Sequence, residues 1–203
     1  MAEQAALQFA AERGFGIVTA ADERGPRASH VPFVLKTRED GVVAQVHFTA
    51  KNPLADLADG NRRFLLIVPG ADSYVSNDWY ASPDNVSTWL YEAVHLSGIA
   101  HRRDLNDNRA HGDALLAVAE ARLPKEPWEL AAMEPTKRET MLASIRVIDI
   151  AIDQVESQSK LNQHKSDADH VAVANQLARS ADSASQALAR KMRALRPALA
   201  YEF

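Results

Sequence analysis

Residues 28–53 read ASHVPFVLKTREDGVVAQVHFTAKNP. Two apolar runs, ASHVPFVLK and VVAQVHFTA, flank the turn segment TREDG, and in the second run Val42, Ala44, Val46 and Phe48 alternate with polar or small neighbours. A period of two places those side chains on one face of a strand, and a glycine-bearing turn between two such runs is a hairpin. Just upstream, GIVTAAD reaches the turn DERGP and leads into the same run. Two hairpins so close together specify an antiparallel sheet.

Working outward, KNPLADLADGN reads as a short helix with Asn52 as N-cap, Pro53 at the first helical position and Gly60 at the exit. FLLIVPG is a buried strand, YVSNDWY a shorter extended piece, ASPDNVS a loop, and TWLYEAVHLSGIAHRR a long strand with a bend expected near Gly98. IRVIDIAIDQVES is the last strand, with Ile148, Ile150 and Ile152 on a strongly apolar face. Helices are expected at residues 2–12, 107–121 and 135–142. After SKLNQHKSDAD a single long helix is expected over roughly 168–196, with Val171, Ala174, Leu177, Ala181, Ala184, Leu188, Met192 and Leu195 on one stripe. The pattern predicts a mainly β fold with added helices: a closed or split barrel over residues 1–165, and a C-terminal helical extension over 166–203 packed on the barrel or on a dimer partner.

The 203 residues carry a net charge of −4 and a pI near 6.0, so no overall field draws the chain to nucleic acid. Cysteine is absent, which removes disulfides, thiolate metal sites and cysteine nucleophiles together and agrees with a reducing compartment. The N-terminus lacks a basic leader region and no apolar run approaches the roughly 18 residues of a membrane span, so a cytoplasmic, membrane-free protein is expected. The histidines at 30, 47, 95, 101, 111, 164 and 170 show no tight metal-ligand spacing, and there is no glycine-rich phosphate loop, nucleophile elbow or helix-turn-helix. Arg190, Lys191, Arg193 and Arg196 are read as complementing a helix C-terminus rather than as a DNA-binding face.

Three groupings could carry chemistry. In HFTAKNP, Thr49, Lys51 and Asn52 stand where a strand gives way to a helix N-terminus, an arrangement suited to a phosphate, although an ordinary cap with a solvated lysine has the same spelling. In TWLYEAVHLSG, Trp89, Tyr91, Ala93, His95 and Ser97 share one strand face, which suits stacking on a flat ring as well as plain packing. Glu92 on the opposite, apolar face requires a cleft or a cation. KLNQHK at 160–165 reads as a polar surface turn.

Taken in order, ASHVPF, FTAKNP, LLIVPGADSYVSNDWY, VSTWLYEAVHLSG, Pro127–Trp128 and KLNQHK resemble the PaiB family, from about residue 8 to 190. That family of negative transcriptional regulators belongs to the FMN-binding split-barrel group related to pyridoxamine phosphate oxidases. The resemblance implies a six-stranded split barrel acting as a homodimer, with FMN at the subunit interface. It implies that the strand Ser29, His30, Val31 and Pro32 lies along the isoalloxazine and that Thr49, Lys51 and Asn52 hold the phosphate. Trp89, Tyr91 and His95 would close the site, with Lys160 and Gln163 retained from the family's closing motif. The chain departs from the family pattern at Ser87, Leu90, Asn162 and His164, and at Asn77 and Asp78.

The function these residues lead us to expect is a flavin-dependent oxidoreductase-like or flavin-sensing protein. His95 is the first candidate for proton handling, since imidazole titrates near neutrality. A small-molecule ligand is expected and no metal. Two alternatives are a negative transcriptional regulator acting directly or through a partner, with direct DNA contact disfavoured by the acidic pI, and a haem-binding split barrel using His164 or His170.

Overall fold

The computed structural model describes residues 1–203. Six strands, β1 (Phe15–Asp22), β2 (Gly25–Arg38), β3 (Gly41–Thr49), β4 (Asp59–Val75), β5 (Thr88–Arg102) and β6 (Ile145–Lys160), close into a barrel in the order β1-β2-β3-β6-β5-β4. The helices are α1 (Glu3–Arg13), α2 (Pro53–Leu57), α3 (Asp107–Glu120), α4 (Pro135–Ala143), α5 (Asp167–Arg179) and α6 (Ser183–Leu195). The expected mainly β architecture is present, with FLLIVPG extended into β4 as far as Val75, while Asn77–Trp79, expected to be extended, forms a 3-10 turn.

The chain forms two compact units, one of Ala2–Val68 with Val94–Glu156 and the other of Met1, Pro69–Ala93 and Ser157–Phe203. This division differs from a cut at 165. The C-terminal helices share one apolar core with Val75, Tyr80, Leu90 and Leu161, so those stretches belong with them.

In the larger unit the core is the barrel interior. Val18, Val31, Phe33, Val46, Phe48, Phe64, Leu66, Val94, Leu96, Ile148 and Ile150 converge there, and α1 adds Ala6 and Ala10. The alternation read from the sequence is the cause, since every second residue of each strand turns inward. Gly14 ends α1 at φ 60° and donates its N–H to Ala10 O, a left-handed cap open to a residue without Cβ.

Gly98 was expected to mark a bend, but β5 runs through it unbroken. A Cβ there would stand 1.8 Å from Ala151 O, so the glycine is required by close approach of backbone.

The wall opens between β2 and β3, and one residue type explains where. Phe33 N–H donates to Gly14 O at 3.0 Å, and bonded pairs alternate along an antiparallel ladder. Val31, Ser29 and Arg27, paired with Gly16, Val18 and Ala20, therefore also turn their main-chain groups to β1. Ala28, His30 and Pro32 turn theirs the other way. On that side the ladder to β3 runs from Arg38↔Gly41 to Phe33↔Val46. The next bonded pair would join Pro32 to His47, and proline has no N–H to give. The ladder stops, and Ala28–Pro32 keep one neighbouring strand. This seam interrupts the pairing of an otherwise closed barrel.

In the smaller unit, the expected single helix over 168–196 is two helices. Ser180 has an extended backbone, and the Asp182 carboxylate accepts from the N–H groups of Ala184 and Ser185, starting a second helix. The expected stripe holds in part: Ala174, Leu177, Leu188 and Met192 fill one core together with Val173 and Ala189, whereas Ala181 and Leu195 are exposed and Val171 and Ala184 only partly buried.

Candidate functional site: the seam beside α2

The chain passes from β3 into α2 beside the seam. Asn52 fixes this corner with both ends of its side chain: Oδ1 accepts from Leu54 N–H at 3.0 Å, and Nδ2 donates to Ser29 Oγ at 2.8 Å. A loop residue capping a helix thus also ties that helix to the open strand.

The helix amides read as a phosphate cradle are already in use. Pro53 has none, Leu54 N–H is capped by Asn52, Ala55 N–H bonds to Asn52 O, and Asn52 N–H bonds to Thr49 O. With five residues, α2 also sums little dipole. What remains is the hydroxyl of Thr49 and the ammonium of Lys51, both exposed and unengaged, and the Ser29 hydroxyl proton, since Ser29 Oγ only accepts.

The strand Ser29–Pro32 divides by alternation. Val31 lies in the core and Ser29 faces the same way, while His30 and Pro32 are exposed on the other face. His30 stacks on exposed Phe15 with ring centroids 6.5 Å apart. The four side chains cannot line one ligand together, but their backbone edge can. The paired ladder to β3 does not extend past Phe33, so the N–H groups of Ala28 and His30, about 7 Å apart along the strand, and their carbonyls lie on an edge that carries no strand ladder. An isoalloxazine presents alternating acceptors and a donor along its pyrimidine edge, so main-chain groups of both kinds fit it.

His95 belongs to the larger unit, where it is half-buried and makes no hydrogen bond. Trp89, Tyr91, Lys160 and Gln163 belong to the smaller unit. There Trp89 is 54% exposed and meets the Tyr74 ring edge-on at 6.1 Å, and Tyr91 Oη donates to Gln158 Oε1 at 2.6 Å. Lys160 Nζ donates to Thr88 Oγ1 at 2.6 Å. Gln163 folds onto its own turn, accepting from Leu161 N–H and donating to Ser159 O.

Glu92 has the cation that its burial demands: it is 7% exposed, pairs with Lys191 and accepts from Ser159 Oγ. Leu90, where the resembling family has asparagine, is wholly buried among Leu161, Val173 and Leu177. Asn162 adopts φ 57° and is buried with neither amide atom hydrogen-bonded.

His170 is fully buried, with Nε2 3.0 Å from Met192 O and Nδ1 3.4 Å from Asn162 O. Both ring nitrogens face main-chain carbonyls, so it is closed to haem iron, and of the two histidines suggested for that role only exposed His164 is accessible. At the basic end of α6 three of the four cations are engaged, and exposed Arg190 makes no hydrogen bond. Lys191 holds Glu92, Arg193 holds Phe203 O, and Arg196 holds Asp167 and the carbonyls of Gln163 and Lys165. No three acidic or histidine side chains gather as a metal site, and no helix is long and apolar enough to cross a membrane.

A six-stranded barrel opened beside a strand-to-helix corner is the fold of the split-barrel proteins. The family model described as "Putative FMN-binding domain" matches residues 1–154, and the chain belongs to that family, whose cofactor is FMN. The chain is 27% identical over 169 residues to the Protease synthase and sporulation protein PAI 2 of Bacillus subtilis, covering 83% of this chain and 81% of that protein. Among solved structures it is similar to an FAD- and haem-binding protein from Mycobacterium smegmatis, with TM-score 0.56, 16% identity and coverage of 79% of this chain and 71% of that one. It is also similar to a flavocytochrome from Azotobacter vinelandii, with TM-score 0.54, 15% identity and coverage of 79% and 68%. At these identities the structures speak for the fold.

Proposed function

We propose that the chain is a homodimeric flavoprotein that holds FMN along the seam, and that it works as an oxidoreductase or as a flavin-dependent sensor. The observation that carries this reading is the unpaired edge of Ala28–Pro32 beside the free Thr49 hydroxyl and Lys51 ammonium. Ala28 and His30 N–H donate to the ring's polar edge, their carbonyls accept from it, and Thr49, Lys51 and Ser29 hold the phosphate. Asn52 positions Ser29. FMN, when bound, supplies one- and two-electron transfer; the residues supply orientation and charge. His95 keeps its proposed role of moving a proton, because its imidazole has no partner within the chain.

The dimer reading draws support from Phe15 and His30. They form an exposed stacked pair on the outer side of β2, apolar surface at the seam that a second copy would cover.

Titrating the purified protein with FMN tests the cofactor site. Flavin fluorescence should quench saturably at micromolar concentration, and the double variant Thr49→Ala/Lys51→Ala should weaken binding at least tenfold. Unchanged affinity in that variant would remove the phosphate assignment. Light scattering on the same samples should give twice the chain mass.

The resemblance to the PaiB family brings a regulatory reading with it. With a net charge of −4 and Lys191, Arg193 and Arg196 engaged, such a role runs here through a ligand or partner. Salt-sensitive, sequence-selective DNA binding by the purified protein would reverse that order.

A further inference from the structure

On the outer face of β3 in the larger unit, a chain of hydrogen bonds fixes the protonation of two histidines. Gln45 Nε2 donates to Asp149 Oδ1 at 2.7 Å while Gln45 Oε1 accepts from Lys36 Nζ at 2.7 Å. The reverse amide orientation would set NH₂ against ammonium and oxygen against carboxylate, so Oε1 is the acceptor. His111 Nδ1, 3.0 Å from that oxygen, therefore carries a proton, and its Nε2 is an acceptor. His47 Nδ1, 2.9 Å from His111 Nε2, must then be the donor. This leaves His47 Nε2 with a bare lone pair, no partner in the chain and access to the surface, since it is not among the buried unpartnered atoms.

Both imidazoles line an open pocket of about 270 Å³ whose remaining wall is apolar, including Trp128, Leu130, Met133, Met141 and Leu142. A cavity of about 150 Å³ lined by aliphatic and aromatic side chains holds benzene, so a substituted single ring fits here. Indole and thioether sulfurs are favourable neighbours for an aromatic ring. Burial, with the charges of His47 and Lys36, holds His111 down at about 3, and burial also lowers His47. The pocket thus carries no imidazolium at neutral pH and offers no ion pair to an anion.

We propose that this pocket is a second ligand site, for a small neutral aromatic molecule bearing one O–H or N–H donor that meets His47 Nε2 while its ring lies against Trp128 and the two methionines. The site is separate from the flavin reading and does not depend on it.

The chain has four methionines, two in this pocket and two, Met1 and Met192, in the other unit. Methyl-labelled full-length protein titrated with p-cresol should show saturable shifts at Met133 and Met141 with none at Met192. Toluene, the same ring without the hydroxyl, should bind at least tenfold more weakly, and His47→Phe should bring p-cresol down to the toluene affinity. Equal binding of p-cresol and toluene by the unaltered protein, shifts at Met192 as large as those in the pocket, or no saturation at millimolar p-cresol would each overturn the proposal. The two-ligand comparison needs no variant, so it stands even if the His47 substitution fails to fold.

Discussion

Asn52 Nδ2 and Ser29 Oγ meet at 2.8 Å across the open edge of the barrel, joining the cap of α2 to the one stretch of β2 without a second strand. Asn52→Ala loses both this bond and the cap on Leu54. It should destabilise the protein by about 1–2 kcal/mol and weaken FMN binding, whereas Ser29→Ala loses only the long-range tie to Asn52 and the free hydroxyl. Urea midpoints and FMN affinities of the two single variants and the double variant form a cycle. Simple additivity in both readouts would show that the tie does not position the site.

At Gly98 there is no space for a methyl group, with backbone 1.8 Å from an ideal Cβ. Overpacking typically costs about 1–3 kcal/mol where side chains can yield, and here the obstacle is main chain. Gly98→Ala should therefore exceed that range or fail to accumulate as folded protein. A thermal midpoint within a few degrees of the parent chain would contradict the close approach.

The Glu92–Lys191 pair has one side chain 7% exposed and the other 40% exposed, so it is only partly shielded from solvent. Glu92→Gln leaves an amide against an ammonium, and Lys191→Met leaves a carboxylate in an apolar wall; the second should be the worse, by roughly 1–3 kcal/mol. Replacing both by apolar residues should recover most of the loss. Chemical unfolding of the three variants checks this ordering.

His111 gives the fold an acid sensitivity of known sign. Burial holds its imidazole at about 3 against an ordinary 6.5. Between those values the unfolded chain binds the extra proton, so this contribution is complete above pH 6.5 and is lost progressively as pH falls toward 3. The slope cannot exceed roughly 1.4 kcal/mol per pH unit from one group. Stability measured from pH 7 to 5 should fall more steeply for the parent than for His111→Leu. Parallel curves would mean that the imidazole is already charged in the folded state.

The hairpins on either side of DERGP and TREDG were legible because alternation is local, and so was the need of Glu92 for a cation. The break between α5 and α6 was hidden. Ala181 and Ala184 continue the apolar stripe, while Ser180 and Asp182 stop and restart the helix with two short side chains. Leu90 was read only as a departure from the family pattern, and its burial against α5 and α6 depends on residues far along the chain that no periodicity announces. The corner at Thr49, Lys51 and Asn52 was read as a helix-terminus cradle, and what one dimension did not show is that its helix amides are already used within the chain. The His47–His111 pair, 64 positions apart, has no signature in one dimension.

Pro32 has one more effect. An unpaired strand edge invites another chain to add itself, the usual route to sheet-mediated aggregation. Along the seam-facing edge, proline occupies both position 26 and position 32, leaving only Ala28 and His30 with hydrogens to offer. A docking strand would find its ladder truncated at both ends, whereas a short rigid plane needs no more than the two donors between them. The same imino acid that ends the ladder to β3 also shortens what another strand could add to that edge.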